Sequence, residues 1–394
     1  MVIGSGQNNI ITPNSFEVGN FYKQFDVVFY SGYTYLGTEY PALQSQSGHY
    51  YYNGDAATAN TSNLPISEDS PWTQDFFFEC EYGSSVSFEN SAYRTNFGDG
   101  YYSYLSKSEN SLKATFNTSF EKRSDSETMC AIHFLEDSFN KGNKPSGGYT
   151  GIYWQPFVPY DYRKEFFIEK IDHSIQYPNV NSYSTEFYNE TSSITDWQNL
   201  YIPFKNTNGF FEIGKTYSKH DIAFASGAAY NINTSGWYYY TGESAVATSD
   251  NGPIGANSLW TKNNFYFDIN DGISISQSPR FFKQGFQNGF LQRVEDGINK
   301  SLLDLKFELK GRTDKESKAI VHFLIHKYGR NQFSFTPPFP YNKSKVFLCP
   351  SWDHKINYKD NNDISVNFIE HPIDYLAKTT EFLNLITIDP YLAR

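Results

Sequence analysis

The sequence predicts a mainly β fold with one amphipathic helix in each of two larger domains, an α+β class, and three observations predict it. Aromatic residues make up 19% of the 394 residues, carried by 32 Tyr and 35 Phe against two Met. Such a chain builds its cores from rings and β-branched side chains, which fit a half-buried pleated surface. Apolar residues recur at even spacing in Leu112, Ala114, Phe116 and Phe120, and again in Leu303, Leu305, Phe307 and Leu309. That is the period of a strand with one buried face. Third, the whole ordered pattern occurs twice along the chain, the mark of a duplicated unit.

The repeat has a period of roughly 180 to 195 residues. Tyr22 and Phe25-Asp26-Val27-Val28-Phe29 face Tyr217 and His220-Asp221-Ile222-Ala223-Phe224. His49 opens HYYYNGDAATA, and Trp237 opens WYYYTGESAVA; Trp72-Thr73 faces Trp260-Thr261. Further on, Phe97-Gly98-Asp99-Gly100-Tyr101 faces Phe286-Gln287-Asn288-Gly289-Phe290. Arg123, Glu127 and His133 face Arg312, Glu316 and His322 at an unchanged offset. After a loop that is shorter in the second copy, Trp154-Gln155-Pro156 faces Phe335-Thr336-Pro337, and Asp172-His173 faces Asp353-His354. The expected organisation is an N-terminal arm (1–20), a small aromatic module (21–78), a larger domain (79–195), a linker (196–214), a second small module (215–268), a second large domain (269–372) and a C-terminal tail (373–394).

Within each large domain the strands give way to a helix start. Ser124 with Glu127, and Thr313 with Glu316, fit the capping box, in which a hydroxyl and a Glu three residues later satisfy free amides. Met129, Ile132 and Leu135, and Ile320, Phe323 and Leu324, then fall at helical spacing, predicting a helix of about three turns. Proline-rich corners follow, Pro156-Phe157-Val158-Pro159 and Pro337-Pro338-Phe339-Pro340. They suit strand ends because proline cannot donate to a ladder. A module of about 55 residues is marginal alone, so each is expected to lean on its large domain.

The net charge of −11 and the lack of a Lys/Arg-rich stretch exclude a sequence-specific nucleic-acid footprint. Cys80, Cys130 and Cys349 lie far apart without metal-ligand spacing and read as packing thiols of a protein made in a reducing cytoplasm. No signal peptide is expected at MVIGSGQNNI, and no window is apolar enough for a membrane span.

The large domain resembles the minor tail protein M family of lambda-like phages and its distal-tail relatives. The residues that carry this are clearest in the second copy: Phe286 with Gly289-Phe290, Leu303 to Phe307, Arg312 to Glu316, Ile320 with Phe323-Leu324, Gly329, Phe333 to Pro338, Cys349 and Trp352. The first copy departs from it at Ile168 and Ile171, which replace that Cys and Trp. The resemblance implies tandem tail-tube-like β-sandwich domains, each preceded by a small β module. It also implies a structural virion protein of the tail tip or baseplate, made in the host cytoplasm, with other phage tail proteins as partners, no enzymatic activity and no cofactor. A trimer carrying six such domains would match a sixfold tube, and a plain hexamer is the alternative. The small modules are loosely similar to chitinase-type carbohydrate-binding modules, so a tail adhesin that binds a cell-surface glycan is a rival function.

Residues that invite a chemical role each have a structural reading beside it. His133, His322, Asp172-His173 and Asp353-His354 could be general bases or ligands, but no nucleophile motif accompanies them and they read as satisfied structural groups. The turns Asp268 to Gly272 and Asp360 to Asp363 are oxygen-rich, yet neither follows calcium-loop spacing. Tyr51, Trp72, Tyr239 and Trp260 are candidates for glycan or protein contact, against the reading that alternate rings make the module core. Pro156, Phe157, Pro159, Pro337, Pro338 and Phe339 are the candidate assembly-loop contacts.

Overall fold

A computed structural model of the chain describes residues 13–30, 48–60, 63–67, 70–90, 92–96, 102–106, 112–140, 151–157, 160, 164–177, 179–188, 209–226, 235–269, 272–277, 279, 281–285, 290–295 and 302–371. The expected C-terminal tail, most of the linker, most of the N-terminal arm and Pro159 lie outside these residues. The protein is mainly β with two helices among the described residues, as the sequence predicts. It divides into two compact units, Met1–Ser85 with Thr115–Glu190, and Val86–Ala114 with Thr191–Arg394. The units therefore interleave along the chain, because the strand Ser85–Asn90 joins the second unit from Val86 onward.

In the first unit the module sheet has the order Asn14–Ser15, Val27–Tyr30, Gly48–Tyr52, Trp72–Thr73. Side chains alternate across a strand, so Tyr50 and Tyr52 enter the module core with Tyr22, Val28 and Trp72, while Tyr51 points to the other face. Phe16 completes this core by stacking on Tyr22 at 5.6 Å. The large sheet has the order Ile152–Trp154, Lys164–Tyr177, Val180–Tyr188, Leu112–Arg123. Helix α1, Asp125–Asn140, follows the last of these strands directly.

The second unit repeats this build. Ile222–Ala225, Gly236–Tyr240 and Trp260–Thr261 form the module sheet, with Tyr217, Tyr238, Tyr240 and Trp260 in its core and Phe211 stacked on Tyr217 at 5.5 Å. The large sheet runs Ser85–Asn90, Lys345–Tyr358, Asn361–Glu370, Leu303–Arg312, Ile273–Gln277, and Phe333–Phe335 pairs with Lys345–Tyr358. Helix α2, Asp314–Lys327, is capped by Thr313, whose hydroxyl accepts the Glu316 N–H at 3.2 Å, and ends at Tyr328 in the left-handed region. Ser124 accepts the Glu127 N–H at the start of α1 in the same way.

All eight period-two residues, Leu112 through Phe120 and Leu303 through Leu309, are buried. Both helices extend beyond the expected three turns, at 16 and 14 residues. Met129, expected on the buried face of α1, is exposed. The buried residues of α1 are instead Thr128 and Cys130 through Leu135, which leave Met129 on the one outward-facing position of that stretch.

Candidate functional site

Each module is held on its helix by a tyrosine that the module core does not use. Tyr51 Oη lies 3.1 Å from His133 Nδ1 on α1, and Tyr239 Oη lies 2.9 Å from His322 Nδ1 on α2. All four residues are buried, and a buried polar group is costly unless it is hydrogen-bonded. The repeated histidines are thus structural partners of the repeated tyrosines. Beside this bond the two seats differ. In the first, His49 Nδ1 lies 3.0 Å from Asp137 Oδ1. In the second, Trp237 and His326 occupy those places as a ring pair at 5.8 Å, and His326 packs on His322 at 4.4 Å.

A second fastening is the segment that leaves each module. Phe76 packs on Phe120, Phe134, Trp154 and Phe187, and its N–H donates to the Tyr153 carbonyl at 2.8 Å. Phe265 likewise packs on Phe307, Phe323, Phe335 and Phe368, and its N–H donates to the Ser334 carbonyl at 2.9 Å. Aromatic pairs of this kind add to plain burial. The strand before each helix carries a bulge, with Lys122 or Gly311 at positive φ of 56° or 63°. A bulge re-aims the next side chain. Arg123 then reaches Glu127 at 3.0 Å and the Glu79 carbonyl at 2.6 Å, while Arg312 reaches Glu316 at 2.6 Å and the Asp268 carbonyl.

The oxygen-rich turn Asp360 to Asp363 is a clamp between hairpin and helix. Asp360 N–H donates to Asp314 Oδ1 at 3.1 Å, Asp314 N–H donates to Asp360 Oδ1 at 3.3 Å, and Asn362 Nδ2 donates to Asp314 Oδ1 at 2.8 Å. In the first unit Asp125 exchanges the same bonds with Asn179 and Asn181, at 2.7 to 3.1 Å. Asn179 and Asp360 both adopt positive φ, which Asn and Asp tolerate. Carboxylates engaged by N–H donors are turn chemistry, and no group of three or more acidic, His or Cys side chains suits a metal among the described residues. Asn270 and Asp271 of the other oxygen-rich turn lie outside the described residues.

Asp172-His173 and Asp353-His354 are not paired dyads, because neighbours on a strand point to opposite faces. His173 and His354 each meet the following strand, with Nε2 at 3.4 Å from Asn181 Oδ1 and 3.2 Å from Asn362 Oδ1. Burial drives the His354 imidazole down to about 4 and His326 also to about 4. Cys130 and Cys349 are buried, and burial raises both thiols, while Cys80 is pushed up to about 11. Such thiols are poor nucleophiles.

Trp72 and Trp260 lie inside the module cores and Tyr51 and Tyr239 inside the seats, so none of the four offers a ring face to a sugar in this arrangement. The candidate assembly loops divide in the same way. Pro156 and Pro337 are buried, and Phe157 is half-buried against Phe116, Trp154 and Tyr160. Pro338 is exposed, and Phe339 is 85% exposed at the tip of its loop. The second unit's sheet also carries a polar groove of about 610 Å³, lined by Lys306, Glu308, Lys310, Asp353, Ser365 and Asn367 among others. Sequence reasoning missed two further exposed apolar side chains, Ile175 at 72% and Tyr177 at 70%. Their strand alternates polar and apolar residues to its last position, a pattern that predicts burial of that face, so nothing local marked it as open.

Residues 263–371 match the family model described as phage minor tail protein. The matched segment begins at the connector before Phe265 and runs through α2 and the last hairpin of the second unit. No curated protein matches the chain. The matched family is structural and non-enzymatic, and the match supports a structural component of a phage tail.

Proposed function

We propose that this chain is a structural protein of the distal phage tail that forms or adapts a ring at the tube end, using two tandem tail-tube-like domains with a small module before each. One observation carries the reading. The segment that matches the minor tail family has a bulge, an Arg–Glu pair, a capped helix and a clamped hairpin, and the first unit carries the same four features, with Lys122 for Gly311, Ser124 for Thr313 and Asn179 for Asp360. Two ring-forming domains per chain let three chains supply six positions, so a trimer is the favoured order and a hexamer the alternative. The acidic balance of −11 suits a tube end that DNA passes without sticking. Other tail proteins are the expected partners, and Phe339 is a candidate contact because a ring so exposed gains burial on docking. The buried Trp72 and Trp260 lend nothing to the adhesin reading.

The test is location in the virion. Antibody to the chain, with gold label or by difference density in electron microscopy, should mark the distal end of the tail. Label on the capsid, or none on purified virions that retain infectivity, would refute the proposal.

A further inference from the structure

In the second unit the strand Ser85–Asn90 covers one edge of the hairpin strand Lys345–Tyr358. Val86 and Phe88 are fully buried there, and Phe88 stacks on Trp352 with centroids 5.0 Å apart. Asn90 Nδ2 donates to the Tyr328 carbonyl at the end of α2. The first unit holds the corresponding hairpin strand, Lys164–Tyr177, paired on that edge only at Lys164, Glu165 and Phe166 by Ile152–Trp154. Beyond Phe166 no strand covers it among the described residues.

Exposure follows this difference. Ile175 is 72% exposed where Ile356 is 8%, and His173 is exposed where His354 is fully buried. Both histidines make the same contact to the next strand, so the hairpins agree and what differs is the cover. The opposite end of the second unit's sheet shows the converse. Ile273–Gln277 pairs with Leu303–Arg312 on one edge and with nothing described on the other. It stands in the order of elements where Ser85–Asn90 stands in the first copy, yet Ile273 and Ile275 are only half-buried.

We infer that Ile273–Gln277 of one chain pairs with the open edge of Lys164–Tyr177 in a second copy of this chain. The contact repeats between chains the seam that Ser85–Asn90 and Lys345–Tyr358 make within one. An unpaired edge offers a row of N–H and C=O groups to just such a strand. The contact is head-to-tail, and heterologous contacts of this kind make a ring when the rotation between copies closes and an open filament when it does not. At this seam the stack of Phe88 on Trp352 has no equivalent, since Gln277 and Ile171 stand at the two positions. Losing the stacked rings makes the seam between chains weaker than the one within, which suits assembly from separate chains. The inference deepens the ring proposal and rests on it for the ring itself.

The test is native mass spectrometry of the full chain with Ile175→Lys and Ile275→Lys. A lysine on either edge should weaken association by about tenfold or more. The wild type is expected as a closed oligomer and each variant as a monomer. An equimolar mixture of the variants should stop at a 1:1 dimer, because it retains one intact pair of edges. That dimer also shows that both variants are folded. A wild type that stays monomeric at all concentrations overturns the inference, as does an oligomer that survives both substitutions. So does a mixture that stays monomeric while each variant keeps the wild-type circular dichroism. If gold label marks the tail tip but the variants still assemble, the seam is wrong and the tail role stands. If the variants dissociate as expected but no label appears on virions, the seam stands and the tail role fails.

Discussion

Acid should loosen the second unit's helix and hairpin through histidines buried without charge. His326 and His354 titrate at about 4 in the folded chain because burial penalises the imidazolium, against about 6.5 for an unfolded histidine. The unfolded state therefore binds the proton first. Above pH 6.5 neither state is protonated and the fold keeps its full stability. Between 6.5 and 4 stability is lost as pH falls, and below 4 the loss levels off. At pH 4.5 each histidine has withdrawn on the order of 2.5 kcal/mol, so about 5 kcal/mol together. His322 acts in the same direction, through burial first and then its neighbour His326. The assay is amide hydrogen exchange, corrected for intrinsic rates, over 314–327 and 361–370 at pH 7 and 4.5, with 125–140 and 180–188 as comparison. The comparison is apt because Asp137 stands where the second unit has His326, and His173 is exposed where His354 is buried. Replacing His326 by Gln should remove about half the drop. An opening free energy that changes by less than about 0.5 kcal/mol over this range would refute the reasoning.

Three further outcomes follow from the geometry. Tyr239→Phe removes the hydroxyl that His322 Nδ1 meets and should cost about 1–3 kcal/mol by urea denaturation. Phe265→Ala empties the centre of the ring cluster on Phe307, Phe323 and Phe368 and should cost about 3–5 kcal/mol, seen as a lower denaturation midpoint. Phe339→Ser should change stability by no more than about 0.5 kcal/mol, since the ring is exposed. It should instead lower the amount of chain recovered in virions when the variant complements a deletion.

Much of the fold was legible because local rules and burial agreed. The capping residues Ser124 and Thr313 act as read, and the period-two residues are core. Spacing misassigned Met129, because a helix face is chosen by what packs on it and Thr128 served as an apolar position. The seats were beyond local reasoning: Tyr51 and His133 are distant in sequence, and nothing near either names the other. The left-handed Lys122 was likewise invisible, since Gly311, Asn179 and Asp360 are of types that favour or tolerate positive φ and lysine is not. The open edge at Ile175 could not be read at all, because its exposure depends on a strand that another part of the chain supplies in one place and not in the other.

The two seats say which feature the protein must keep. Tyr–His geometry is the same in both, at 3.1 and 2.9 Å, while the contact beside it changes chemistry completely. His49 with Asp137 is a polar pair at 3.0 Å, and Trp237 with His326 is a ring pair. A single exchange would fail in either direction. Asp137 beneath Trp237 would be a carboxylate buried against a ring, and His326 beneath His49 would set two imidazoles together without an anion. The two positions differ as a pair between the seats, His49 with Asp137 in one and Trp237 with His326 in the other. What stayed constant is the placement of a module on a helix, so the seat serves to hold the module rather than to bind a ligand. The proposed contacts therefore fall on surfaces the seats leave free among the described residues, the Phe339 loop and the sheet edges at Lys164–Tyr177 and Ile273–Gln277.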